Sequence, residues 1–338
     1  MKRGLRIRWP AAHHRLLCLI LLAGLLLMGL KTWLVLTLSG LAMGAMLFLM
    51  ASGMTLAFGL LRVLNLAHGA LISLGAFAGA AWWLAHAQAL PHEAWRQWLA
   101  LLPAMLIAMA VAGLVGALFE RLVIRPVYGD YLKQMLVTVG GAIILVQLLQ
   151  GIWGASPIAV PRPEVLRGSL IVPQAIPWLG GLALEKFRVL SAACGLVIYA
   201  LVIHGLEHSG LGIVIRAGVE DREMVEALGL RMTPVFLAVF VLGAMLAGLG
   251  GMFWGFYQEM ITAHMGDELL ILVIVVIILG GLGSVRGCLY GALMVGLVNL
   301  YVGYLLPSLA SVAVVGLMLA VLMWRPWGLV PVAEARTG

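Results

Sequence analysis

Ten stretches of this chain, 15 to 28 residues long, contain no Asp, Glu, Lys or Arg. They cover residues 16–30, 34–61, 66–91, 99–119, 135–153, 189–206, 235–257, 269–285, 288–306 and 309–324. Crossing about 30 Å of hydrocarbon takes about 20 mostly apolar residues. A charge at the centre of such a span costs at least ~2.5–3.5 kcal/mol. The runs therefore read as membrane spans, helical because a spanning segment must satisfy its own backbone hydrogen bonds. Only Pro307 and Ser308 separate the last two runs. Proline interrupts a helix ladder, so a tight hairpin is expected there. The expected fold is all-α, a polytopic membrane protein with about ten transmembrane helices.

Composition supports this and excludes an ordinary soluble domain. The chain is 63% hydrophobic and 10% charged, against roughly 25% charged in soluble proteins. Its net charge of +7 is explained by basic residues retained on the cytoplasmic side, so no nucleic acid partner is expected. With the N-terminus inside, 15 of the 21 Lys and Arg fall on inner flanks. Only Lys31, Arg96, Arg162, Arg167, Lys186 and Arg188 fall outside. Both termini are thus expected in the cytoplasm. Residues 1–33 form a basic segment with an extra helix. The residues after it, Lys31-Thr32-Trp33, do not resemble a small-residue cleavage site, so that helix is read as retained. Cys18, Cys194 and Cys288 sit in apolar runs without metal-ligand spacing, and no metal or cofactor is expected.

Glycine is unusually frequent, 42 of 338 residues. Lipid tails give helices no hydrophobic reason to associate, so small residues that permit close backbone approach hold a bundle together. Gly40/Gly44, Gly75/Gly79, Gly251/Gly255 and Gly287/Gly291 have the small-xxx-small spacing and read as packing sites. At an offset of 222, Gly59, Leu60, Val63 and Gly69 match Gly281, Leu282, Val285 and Gly291. Either an internal repeat or composition accounts for that match.

The most informative polar stretch is 207–234, which holds five of the 14 acidic residues. Glu220, Asp221, Glu223 and Glu226 suit the first turn of a helix, and Gly229 with Pro234 suits its end. Val219, Met224, Val225 and Leu228 are expected to share one side of it. Taken alone, the segment is either a short amphipathic helix across the membrane face or a solvated connection.

This segment resembles the coupling loop of the branched-chain amino acid ABC permeases, through Arg216-Ala217, Asp221, Ala227, Gly229 and Leu230. Asn65-Leu66-Ala67-His68-Gly69 is similar to a turn of that family with Leu66 in place of phenylalanine. Gly280-Gly281-Leu282-Gly283-Ser284 matches its glycine-rich turn, with Arg286 and Cys288 in place of proline and alanine. Glu120-Arg121, Arg125-Pro126, Arg325-Pro326 and Gly328-Leu329 match smaller patterns. The likeness covers about residues 34 to 330.

The resemblance implies an ABC importer permease fold over 34–330, a coupling loop at 207–234 and a cytoplasmic tail at 331–338. It implies coupling to ATPases through Arg216, Ala217, Glu220, Asp221, Glu223, Ala227 and Gly229. It also implies a second homologous permease, two cytoplasmic ATP-binding subunits and an extracytoplasmic substrate-binding protein, all at a bacterial inner membrane. The chain would carry branched-chain or related amino acids, with urea or short amides as the alternative. It is expected not to be an enzyme. A phosphate-binding loop needs GxxxxGK[ST], and none of its four lysines follows a glycine.

Polar residues within spans mark transport paths. Asn65, His68, Gln147, Gln150 and Asn299 are the candidates. Asn65 and His68 are read as sharing a helix face; either Asn65 caps a helix starting at Leu66 and His68 bonds a neighbouring backbone, or both line the path. The glutamines either line it or bond between helices. Residues 258–268 read as a polar outer loop. An ion-coupled carrier would need an acidic residue inside a span, and none of the ten runs contains one.

Overall fold

The computed structural model describes residues 11–61, 65–87, 94–173, 181–220 and 222–330. Every apolar run becomes a helix. In chain order these are α1 (Ala11–Leu27), α2 (Leu30–Leu61), α3 (His68–Ala87), α4 (Ala94–Phe119), α5 (Tyr131–Trp153) and α6 (Lys186–His208). The short α7 (Gly210–Glu220) and α8 (Arg222–Ala227) follow. The chain then forms α9 (Met232–Gln258), α10 (Met265–Gly280), α11 (Val285–Leu305) and α12 (Ala310–Trp324). Two small antiparallel sheets cover the end of the bundle opposite α7 and α8. In one, β1 (Ile158–Ala159) pairs with β4 (Met260–Ile261). In the other, β2 (Ser169–Ile171) pairs with β3 (Ala183–Glu185).

Eight of these helices are long and apolar enough to cross a membrane. At 1.5 Å per residue, the 16 residues of α10 reach only about 24 Å. The expected hairpin is present, with α11 ending at Leu305 and a 3₁₀ turn, Pro307–Leu309, leading into α12.

Helices α2, α3, α9 and α11 form the interior, and glycine sets how closely they pack. A Cβ at Gly75 on α3 would lie 2.1 Å from the Gly248 Cα on α9, and one at Gly251 2.1 Å from the Ile72 carbonyl oxygen. A Cβ at Gly44 on α2 would lie 2.8 Å from backbone atoms of Ala292 and Leu293 on α11. Gly287 and Gly291 face the backbone of α10 in the same way. The opposite character appears on α5, whose Leu132, Leu136, Ile144 and Ile152 are exposed, as a surface meeting lipid or another membrane subunit requires.

Four sequence expectations change. First, α3 starts at His68, so Asn65 precedes the helix and shares no helix face with His68. Second, Asp267 and Glu268 occupy the first turn of α10 rather than a loop, because α10 begins where Gly266 packs against Gly69 and Ser73 of α3. Third, the span formed by α4 continues to Val127 through a π turn, Glu120–Ile124, and a 3₁₀ turn, Arg125–Val127. It therefore contains Glu120, which is buried and accepts a hydrogen bond from the Tyr128 hydroxyl. Fourth, the apolar residues of the acidic stretch do not gather on one side. Val225 faces inward and Val219 touches α2, while Met224 and Leu228 are exposed. Lying against α9, the 222–227 segment buries only one of its sides.

Candidate functional site

The starts of α3 and α10 meet inside the bundle. His68 Nε2–H donates to the Met50 carbonyl at 2.8 Å. Met50 lies eleven residues before α2 ends at Leu61, about 17 Å along the helix. The described segment 65–67 therefore returns to the level of Met50, well before the end of α2, as α3 begins. Asn65, buried at this return, accepts from the Ala67 N–H through Oδ1 at 3.1 Å and from the His68 N–H through its carbonyl at 3.2 Å.

Gly69 allows α10 to start against this point, since a Cβ at Gly266 would lie 1.8 Å from the Gly69 carbonyl oxygen. A helix start leaves free N–H groups to be satisfied, and α10 satisfies its own within the chain. The Gly266 N–H donates to Ser73 Oγ at 2.9 Å. The Met265 N–H reaches the Thr262 carbonyl, and the Asp267 and Glu268 N–H groups reach the His264 carbonyl.

Beside this junction lies a cavity of about 280 Å³. Its apolar wall is Leu66 with Val139, Ala142, Ile143 and Val146 of α5. Its polar lining is Gln147, His264 and Asp267. A relay runs along this side. Gln150 Nε2 lies 3.0 Å from His264 Nε2, and His264 Nδ1 lies 3.1 Å from Asp267 Oδ2. An amide N–H only donates, so His264 Nε2 accepts and Nδ1–H donates to Asp267. Of the five path candidates, Gln147 lines the cavity, Gln150 joins it through His264, and Asn65 shapes the turn that presents Leu66. His68 is spent on Met50, and Asn299 lies half-buried on α11 apart from the cavity lining. Sequence reasoning missed His264 and Asp267 as lining residues. The available signal was their i, i+3 spacing immediately before an apolar run of 17 residues, too short to span without them.

The α7–α8 end carries the other candidate residues. Ser209 caps α7, its Oγ accepting the Gly212 N–H at 2.9 Å. α7 packs on the end of α2 and the start of α9. A Cβ at Gly218 would meet the Met232 methyl at 2.3 Å and Leu60 at 3.4 Å. Arg216 is exposed and Ala217 half-buried on α7, which also holds Glu220, and Glu223 lies on α8. Asp221 lies outside the described residues. Exposed Ala227 ends α8, and Gly229 follows at φ +86°. The Gly229 N–H bonds the Glu226 carbonyl and the Leu230 N–H the Val225 carbonyl. This pair of bonds is a Schellman stop, which favours glycine. Met224 at 58%, Leu228 at 74% and Leu230 at 47% exposure leave an apolar outer surface here.

Two of the matched motifs meet nearby. The Leu329 and Val330 N–H groups donate to the Leu279 and Gly280 carbonyls, both at 3.0 Å. The segment after α12 thus caps α10. Arg286 pairs with Glu207, tying α11 to the end of α6.

Comparison with known proteins agrees with this architecture. The family model described as branched-chain amino acid transport system / permease component matches residues 36–323. The high-affinity branched-chain amino acid transport system permease protein LivH of Salmonella typhimurium is 26% identical over 293 residues, covering 86% of this chain and 93% of LivH. LivH of Escherichia coli K12 is 25% identical over 303 residues, with the same coverage of both chains. The permease protein BraD of Pseudomonas aeruginosa is 26% identical over 298 residues, again covering 86% and 93%. No solved structure matches. A model match across most of the chain, together with full-length relatives, makes this protein a member of the branched-chain amino acid transport system permease family.

Proposed function

We propose that this permease forms the translocation path for branched-chain or related amino acids in an ABC importer of a bacterial inner membrane. Both termini lie in the cytoplasm. Two cytoplasmic ATPases dock on the coupling segments of the paired permeases, α7–α8 being that of this chain; a second permease closes the open side of α5, and an extracytoplasmic binding protein delivers substrate to the end bearing the two sheets. ATP hydrolysis belongs to the partner subunits.

The observation that carries this reading is the α7–α8 segment itself. It rests on the ends of α2 and α9, ends in a Schellman stop and exposes Met224, Leu228 and Leu230. Such a surface gives a separate soluble domain a handle on two interior helices. The excess of Lys and Arg on the same side supports the orientation.

The test is reconstitution in proteoliposomes with the partner permease, both ATPases and the binding protein. ATP-driven leucine uptake is expected. Substituting Arg216→Glu or Gly229→Val should lower uptake per ATP hydrolysed while the protein stays in the membrane. Full uptake with residues 220–229 scrambled would refute the reading.

A further inference from the structure

We propose that the cavity between α5, α10 and the 65–67 turn is an amino-acid waypoint. There, Asp267 receives the α-ammonium, Gln147 donates to the α-carboxylate, and the α5 wall takes an aliphatic side chain. This inference rests on the function proposed above and assigns its substrate site.

Three observations carry it. The first is size. About 280 Å³ sits at the lower edge of the range for small-molecule pockets, roughly 300–1,000 Å³. That suits one small solute and not a peptide.

The second is the arrangement of the lining. Val139, Ala142, Ile143, Val146 and Gln147 recur at three- and four-residue spacings along α5. They form one stripe of that helix, so the aliphatic wall and the amide belong to a single rigid surface. Asp267 lies across from them on α10. A zwitterion with a branched aliphatic side chain presents a cation, an anion and an apolar body. The cavity offers a carboxylate, an amide donor and an aliphatic wall in return.

The third is how Asp267 is held. The Gln150–His264–Asp267 relay fixes the carboxylate through Oδ2 and occupies part of its hydrogen-bonding capacity. An ionised carboxylate accepts about four hydrogen bonds, so an ammonium group can still be received. A bare metal cation would fit less well, because five of the eight lining residues present only hydrocarbon side chains.

The experiment uses the complete importer in proteoliposomes. Asp267→Asn keeps the shape and removes the charge. It is expected to lower leucine uptake per ATP hydrolysed by about tenfold or more, the scale of a lost charge-assisted hydrogen bond. ATPase stimulation by the loaded binding protein should stay within about twofold of native on the same scale. Ala142→Phe fills the wall and is expected to reduce leucine uptake more than alanine uptake. Leucine uptake by Asp267→Asn at the native rate per ATP overturns the site, and so does equal loss of leucine and alanine uptake in Ala142→Phe. Should Asp267→Asn fail to assemble, Ala142→Phe decides alone. Absence of leucine uptake by the native complex would instead refute the function on which this site rests.

Discussion

Replacing Gly75 by alanine adds one methyl group where the structure leaves no room for it. The new Cβ would lie 2.1 Å from the Gly248 Cα and 2.6 Å from its carbonyl carbon and oxygen. Ordinary contact begins at 3.4 Å, so α3 and α9 must separate by about 1.3 Å. Every atom it meets is backbone, and no flexible side chain can turn aside. A gap of only about 0.5–1 Å forfeits a quarter to a half of a contact's dispersion energy. The Ile72–Gly251 contact on the same seam would open with it. Overpacking of this kind costs about 1–3 kcal/mol, and rigid neighbours place Gly75→Ala near the upper end. Gly140 on α5 supplies the control, because its Cβ position has nothing within 4 Å. Gly140→Ala should gain up to about 1 kcal/mol of helix propensity. Thermal unfolding of the purified protein in detergent, followed by tryptophan fluorescence, should place the two single-methyl variants on opposite sides of native. If they melt together, backbone contact between α3 and α9 does not hold the bundle.

The same geometry gives further expectations at the two ends. Gly229→Ala forces an L residue into the left-handed region at a cost of about 1–2 kcal/mol. It should fray α8 and lower uptake per ATP hydrolysed, with little change in bulk melting temperature. Arg162 donates to the Phe256 and Tyr257 carbonyls at 2.7 and 2.6 Å, and pairs with Glu185 and with Glu259. Arg162→Ala leaves those acceptors largely unmatched and should destabilise by about 3 kcal/mol or more. Faster proteolysis within residues 155–185 would report it. Asp130 caps α5 by accepting the Lys133 N–H at 3.1 Å. That bond, and then the Lys133 ammonium, hold its carboxyl below the ordinary 3.8. A depressed carboxyl stabilises fully above its unfolded value and loses that contribution as pH falls through the native one. The protection factor of the amides in the first turn of α5, taken against intrinsic exchange at each pH, should therefore be flat down to about pH 4 and fall below it. Asp130→Asn should keep the cap without that dependence.

The spans were legible because hydrocarbon excludes charge, and that signal is local. Gly229 was legible as a helix stop because a left-handed residue is a local demand on the backbone. The start of α7 was signalled by Ser209, whose hydroxyl is a cap, although the acidic residues beyond it drew attention to a later start. The start of α10 could not be read locally. Asp267 and Glu268 look like loop residues until Gly69 and Ser73, nearly 200 positions earlier, are known to receive that helix end. Asn65 announced a helix start correctly in kind, but its chemistry says nothing about depth. That depth is set by the His68–Met50 bond, a tertiary contact. The cavity was half legible for the same reason. Gln147 and Gln150 stood out within an apolar run, whereas His264 and Asp267 acquire a role only once α5 and α10 are side by side.

Those long-range contacts also form a continuous route between the α7 segment and the cavity. Val219 of α7 lies against Gly59 of α2, whose Cβ position is 3.4 Å from both Val219 Cγ2 and the Gly283 Cα. Gly283 belongs to the turn that follows α10, and α10 begins at the cavity. A helix of 16 residues is short enough to move as a rod, so a shift at α7 is expected to arrive at Asp267 as a shift of the whole of α10. Fixing the first contact should therefore silence transport at a distance. Gly59→Cys with Val219→Cys, in a Cys18→Ser background, places two thiols where a disulfide can close. Oxidation is expected to abolish leucine uptake while leaving ATPase binding intact, and reduction should restore it. Intermediacy in space is not itself coupling, and the crosslink separates the two. Undiminished uptake in the oxidised protein would refute α10 as the route between the α7 end and the cavity.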